Sequence, residues 1–387
     1  MNRLRTSLAV FLLAALCCSS ATAAGPVKIG LITTLSGPNG YTGQDVRDAF
    51  LLAVAQEGGK LGGVPVNVLV EDDALRPATG REIADRFLQQ EKIKILTGIV
   101  FSNVMGAVVP DVVQADAIFV SPNAGSSQFA GADCNKNIFV VSFQNDAANV
   151  PAGVYANDHG WKKMVLMAAD YVAGHDMVTG FKISYKGQGQ EIYPKLEQTD
   201  FSAEIARIRD IKPDALFYFL PGGGGINFLK QYAASGLKIP VIVTVFSLDQ
   251  QTLAAVGDAA AGMSVIGHYG VDFTNPQNKQ FVKAFFDRYH RLPTFYAADG
   301  YDTAHAIGSA LRAAQGDDSK LDVIREALRK ADFKSVRGNF KFGPNQYPIQ
   351  DWYLMQVQPG ADGKLAIVTK TRVVKDYGDP FSSKCKM

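Results

Sequence analysis

The residues best placed to do chemistry are hydroxyls and amides that follow short apolar runs. Tyr41 falls in LSGPNGYTG, Ser102 and Asn103 in FSNVMG, and Asn123, Ala124 and Gly125 in PNAGSSQ. Each stretch mixes small residues, which let a ligand approach the backbone, with side chains that can hydrogen-bond it. A helix starting beside such a loop favours an anionic group there. Ser36-Gly37 suits a helix cap as well as a ligand contact. A second set of loops, ADYVAGHD, FLPGGGGIN and VFSLDQ, supplies Tyr171, Phe219, Pro221 and Phe246. Phe219 suits a core position equally well. Polar anchors on one side and apolar walls on the other fit a small organic acid held between them.

Catalysis finds little support. The histidines at 159, 175, 268, 290 and 305 form no HxxxH or HExxH pattern and no Cys/His set with zinc spacing. No GxSxG elbow occurs. An exported ester or amide hydrolase would need a base beside Ser102, and no histidine is placed in sequence to serve. His175 reads as a surface or capping residue before a ligand contact. Glu71, Asp72 and Asp73 read as a solvated strand edge before a metal site. Gly222 to Gly225 lack the lysine and the spacing of a phosphate cradle, so a tight strand-to-helix turn is the better reading. No metal and no cofactor are expected.

The elements that must position these loops alternate regularly. Strands are expected at 27–33, 64–70, 94–100 and 117–121, with helices at 44–57, 79–91 and 103–115 between them. The pattern restarts with strands at 162–169, 189–195, 214–220, 239–245 and 262–269. Helices near 174–185, at 202–211, from about 225 and around 249–256 separate them. Such alternation argues for βαβ units and a parallel sheet, and two runs argue for two α/β lobes. Ligands of open α/β sheets bind outside the carboxyl ends of the strands, where the loops above lie. After Asp272 come helices at 276–290, 295–314 and 319–331, then the strand-rich RGNFKF, DWYLMQVQ and KLAIVTKTRVV. A chain that returns to helices after its second lobe is expected to cross back and cover the first.

The chain has 387 residues, 47% apolar and 20% charged, with 39 basic and 37 acidic side chains. That balance excludes a largely disordered chain and a polytopic membrane protein, and no basic excess points to nucleic acid. Residues 1–24 open with Arg3 and Arg5, continue in an apolar run from Leu8 to Cys18 and end in small residues. That order is a secretory signal, cut after Ala23 or Ala24. Its removal takes two arginines and leaves 37 basic against 37 acidic residues. Cys134 and Cys385 remain in the mature, exported chain and are expected to pair, with two buried free thiols as the alternative.

At this point the chain resembles the periplasmic solute-binding proteins of the branched-chain amino acid (Leu/Ile/Val-type) class. The likeness runs from about Val27 to Tyr377. It is carried by KIGLITTLSGPNGYTG, EDDALRP, LTGIVFSNV, FVSPNAGSSQFA, PDALFYF, AAVGDAAAGM and LPTFYAADGYDTAHAI, in this order. The resemblance implies a type I periplasmic-binding-protein fold of two α/β lobes joined by three crossovers. Lobe one would be 26–144 with 272–345, lobe two 145–271 with 346–375, and 376–387 a tail. The implied role is capture of a solute in the periplasm, as a monomer, for the membrane permease of an ABC importer. A ligand sensor is the alternative. By position, Ser102 matches the serine that holds a ligand carboxylate, and Asn123, Ala124 and Gly125 match the loop that presents backbone groups. Tyr171 or Ala173 lies at the aromatic wall, and Pro221 and Phe246 at the remaining contact loops.

Two departures bear on the ligand. Gly125 stands where a threonine would anchor an α-amino acid. Residues 245–247, Val-Phe-Ser, lack the acid that would pair with an ammonium group, so only Asp249 could reach it. A buried ammonium without a carboxylate costs several kcal/mol. An aromatic carboxylate, benzoate-like or phenylpropanoid-like, is therefore the expected ligand, and FLPGGGGINFLKQY and KCKM also resemble the aromatic-acid branch. Aliphatic amides, amino acids and dicarboxylates are the alternatives.

Overall fold

A computed structural model describes residues 25–360 and 363–387; the segment expected to be a secretory signal, with Cys17 and Cys18, lies outside the described residues. Strand Val27–Thr33 is buried on both faces, as a central parallel strand must be. It pairs in parallel with Val64–Asp72 on one side and Ile95–Thr97 on the other. The first sheet has six strands in the order Lys60–Leu61, Val64–Asp72, Val27–Thr33, Ile95–Thr97, Ile118–Ser121, Ile138–Val140.

The second sheet has eight strands. Its parallel part runs Ser264–Gly267, Val241–Thr244, Ala215–Phe219, Lys163–Ala168, Gln188–Ile192. Strand Pro348–Pro359 adds to the Ser264–Gly267 edge in antiparallel fashion and pairs with Leu365–Tyr377 and with the short Lys341–Phe342. The long strand therefore covers an edge that would otherwise expose unpaired backbone.

Helices Pro276–Tyr289, Phe295–Ala313 and Leu321–Lys330 pack back on the first sheet, where Phe295–Ala313 lies against Gly40–Gln56. The chain thus passes between the lobes three times: after Ile138–Val140, after Ser264–Gly267 and after Leu321–Lys330. Arg337 fastens these passages together. Its guanidinium donates to Val141 O at 2.8 Å and Ser142 O at 3.0 Å in the first crossover, to Asp302 at 3.0 Å, and to Gln350 at 2.8 Å. In the second crossover His268 pairs with Asp299 at 3.0 Å, and Arg337 lies 3.3 Å from the same carboxylate. A buried arginine with four such partners is held in one position.

The expected strands and helices recur with shifts of a few residues at their ends. Several short elements were not expected. Strands Lys60–Leu61 and Ile138–Val140 and helix Ser127–Ala130 are too short to show a period, and helix Val150–Asp158 is apolar without a clear polar face. Of RGNFKF only Lys341–Phe342 is strand, because Arg337 is drawn into the crossover clasp and Phe340 meets Phe342 edge to face at 5.0 Å. Cys134 and Cys385 form a disulfide, with Cα atoms 5.6 Å apart across 251 residues of sequence. It ties the tail to the loop that follows helix Ser127–Ala130. No helix among the described residues is long and apolar enough to cross a membrane.

Candidate functional site

The strand ends of both lobes converge on one cavity. From the first lobe come Ser102, Asn123 and Ala124 together with Val100 and Phe101; Phe143 and Asn145 come from the first crossover. The second lobe supplies Tyr171, Ala173, Met177, Phe219, Pro221 and Phe246, and Tyr296 reaches it from the first turn of helix Phe295–Ala313. The space enclosed is about 20 Å³. That is room for about one water molecule, so an aromatic ring can enter only when the lobes part or these side chains move. A larger groove of 480 Å³, beside Arg312 and Val323, lies on the outer face of one lobe alone.

Ser102 is the first residue of helix Ser102–Gln114, and Phe101 before it is extended. First-turn amides of a helix have no intrahelical acceptor, which makes this end attractive to an anion. The Ser102 hydroxyl oxygen accepts from Asn145 Nδ2 at 3.2 Å, which leaves its own hydrogen to donate. Asn145 Nδ2 also donates to Asp176 at 2.9 Å. Asn123 Nδ2 donates to Val100 O at 2.6 Å, which fixes the amide, while its Oδ1 is buried without a partner. The walls are aromatic: Phe143 and Phe246 lie 4.3 Å apart, and Tyr171 stacks on Phe219 at 6.1 Å. Burial, then the nearby Asp176 charge, pushes the Tyr171 hydroxyl far above its ordinary range, so it stays protonated. Among the described residues no lysine, arginine or histidine lines the cavity.

Four sequence-derived residues stand elsewhere. Tyr41 donates its hydroxyl across the cleft to Asp249 at 3.1 Å and lies 3.3 Å from the Thr252 hydroxyl. Asp249 caps helix Gln250–Val256 by accepting from Thr252 N at 2.8 Å. Burial raises its carboxyl to about 6, against the opposing hydrogen bonds from Thr252 and Tyr41. Asp249 therefore has its acceptors engaged behind the cavity wall and does not line the cavity. Asn103 sits one residue inside the helix, with a buried Oδ1 that has no partner. Gly125 is pressed on the first crossover: a Cβ there would lie 1.9 Å from Phe143 O, and its own carbonyl accepts from Asn145 N.

The remaining candidates have local duties. Gly222 takes φ +61° and would place a Cβ 2.0 Å from Asn39 Oδ1, so this glycine lets the first-lobe loop meet the second lobe. Asp72 accepts from Leu35 N and Ala74 N, and Asp73 from the Thr34 hydroxyl, so these acids hold turns. His175 pairs with Asp170 on the surface at 2.9 Å. Sequence reasoning missed Phe101, Phe143, Asn145, Met177 and Tyr296. Phe143 and Asn145 belong to a crossover, where no strand-end rule points. Tyr296 sits in a helix far along the chain; its only signal was its place in LPTFYAADG.

Residues 26–364 match the family described as periplasmic binding protein. A curated relative, Leu/Ile/Val-binding protein homolog 6 of Brucella melitensis biotype 1, is 30% identical over 372 residues, covering 92% of this chain and 93% of its own. The solved solute-binding protein of an ABC transporter from R. palustris, in complex with benzoate, superposes with a TM-score of 0.88. It is 31% identical over 94% of this chain and 100% of its own. Another, from Rhodopseudomonas palustris BisB5 in complex with 3,4-dihydroxybenzoic acid, gives 0.84 at 28% identity, covering 92% of this chain and 99% of its own. Two lobes, three crossovers and a cleft faced by both agree with these matches, and the chain belongs to the periplasmic binding protein family.

Proposed function

We propose that this protein is the substrate-binding component of an ABC importer and captures an aromatic carboxylate between its lobes. The observation that supports this most is the cavity itself. Aromatic side chains from both lobes surround it, while one free hydroxyl hydrogen, on Ser102, and a helix start stand at its polar end. In this reading the ring lies among Phe143, Tyr171, Phe219 and Phe246, and the carboxylate accepts from Ser102. The working lobes are 26–144 with 272–345 and 145–271 with 346–375. The protein works in the periplasm after its signal is removed, as a monomer that presents the closed form to a permease.

A branched-chain amino acid is the second reading, supported by the Brucella relative's name. Against it stands the state of Asp249, the acid from which the sequence would draw a partner for an ammonium group, which is engaged with Tyr41 and Thr252. A melting-shift panel of benzoate, hydroxybenzoates, phenylpropanoids, leucine and dicarboxylates separates the readings. Ligand at 100 times its Kd stabilises by about 2.7 kcal/mol, a shift of a few degrees. Benzoate-type acids are expected to raise the melting temperature. A shift with leucine and none with any aromatic acid would replace the first reading by the second.

A further inference from the structure

Two carboxylates meet beside the cleft, and among the described residues no basic side chain is bonded to either. Asp176 lies on helix Val172–Ser184 of the second lobe. Asp146, in the first crossover, has its backbone packed on Gly180 of the same helix. Ser127 of the first lobe closes over both. Its backbone N–H donates to Asp176 at 3.3 Å and its hydroxyl donates to Asp146. The same hydroxyl oxygen accepts from Gln144 Nε2 at 2.7 Å, and Gln144 also donates to Asp146 at 2.9 Å. Asn145 connects the pair to the ligand end by donating to both Asp176 and Ser102. All these donors are neutral.

The other titratable groups near the pair do not neutralise it. Tyr171 and Tyr347 face Asp176, and Tyr377 faces Asp146. Asp379, from the tail, is a further acid beside Tyr347 and Tyr377. His175, a group able to carry positive charge, acts on Asp176, but it is exposed and paired with Asp170.

We propose that closing the lobes takes up a proton, held between Asp146 and Asp176, so that the cleft captures its carboxylate ligand together with a proton. The ligand half rests on the function proposed above; the proton half rests on Ser127 and the two acids. Burial, opposed by the Ser127 hydrogen bond, raises Asp146 from 3.8 to about 6, and burial moves Asp176 in the same direction. When the lobes part, Ser127 leaves and water restores both acids toward their ordinary values. The closed form is therefore favoured at low pH and loses that advantage as pH rises through about 6. Such a shift makes the closed-to-open ratio about tenfold larger at pH 5 than at pH 8. An anion at Ser102 adds negative charge and strengthens proton uptake.

The test is titration calorimetry of benzoate on the mature protein at pH 5 to 8, in buffers of different ionisation enthalpy. The expected result is a Kd about tenfold tighter at pH 5 than at pH 8, with net proton uptake that is largest near pH 5 and fades above pH 6. In Asp146→Asn with Asp176→Asn, both features disappear; the single Asp146→Asn variant, which removes the acid that burial raises to about 6, serves if the double one does not fold. A pH-independent Kd without proton uptake overturns the proposal. If benzoate binds at no pH, the ligand reading fails, and scattering from the ligand-free protein decides the proton half. Compaction from pH 8 to pH 5 that is absent in the variant upholds it, and identical profiles overturn it.

Discussion

Ser102 has one hydrogen left to give once Asn145 has donated to its oxygen. A bond from that hydrogen to a carboxylate contributes about 1.5–3 kcal/mol. Ser102→Ala is therefore expected to weaken benzoate about 10- to 100-fold in a binding titration; unchanged affinity would remove Ser102 from the site. Gly125 shows the opposite lesson. The sequence presents it as a threonine lost from the ligand loop, whereas the structure gives it a packing duty against Phe143 O. Gly125→Ala should cost about 1–3 kcal/mol by overpacking and lower the melting temperature. An unchanged melting temperature would mean that the first crossover yields freely. Ser102 was legible because it follows a strand at a helix start. Phe143, Asn145 and Tyr296 were not, because what brings them to the cavity is the return of the chain between lobes, which no local pattern encodes.

At the scale of elements, the βα alternation was readable because buried parallel strands are continuous apolar runs and their helices keep a 3.6-residue period. Lys60–Leu61 and Ile138–Val140 escaped because two or three residues hold no period. The disulfide belongs to this scale as well. By fastening the tail to the loop after Ser127–Ala130 it closes a loop of 251 residues. Chain-entropy reasoning puts its contribution at about 5 kcal/mol as an upper figure. Replacing both Cys134 and Cys385 with serine is expected to lower the melting temperature clearly while leaving benzoate affinity within a factor of two or three, since neither residue lines the cavity. A large loss of affinity would show that the tail supports the cleft.

For the whole molecule, capture depends on two lobes that close as bodies about a clasp. Arg337, Asp299, Asp302 and His268 hold the crossovers together, while Tyr41–Asp249 and Ser127–Asp176 reach between the jaws. A cavity of about 20 Å³ faced by both lobes is the closed arrangement. Hinge closure of this kind needs only a ligand that binds the closed form better than the open one. Titration calorimetry of the mature protein with benzoate and with leucine tests the central claim most directly. The expected result is one benzoate per chain with a negative heat-capacity change, as apolar surface is buried, and no comparable heat with leucine. Saturable leucine binding with no response to benzoate or its hydroxylated relatives would contradict it.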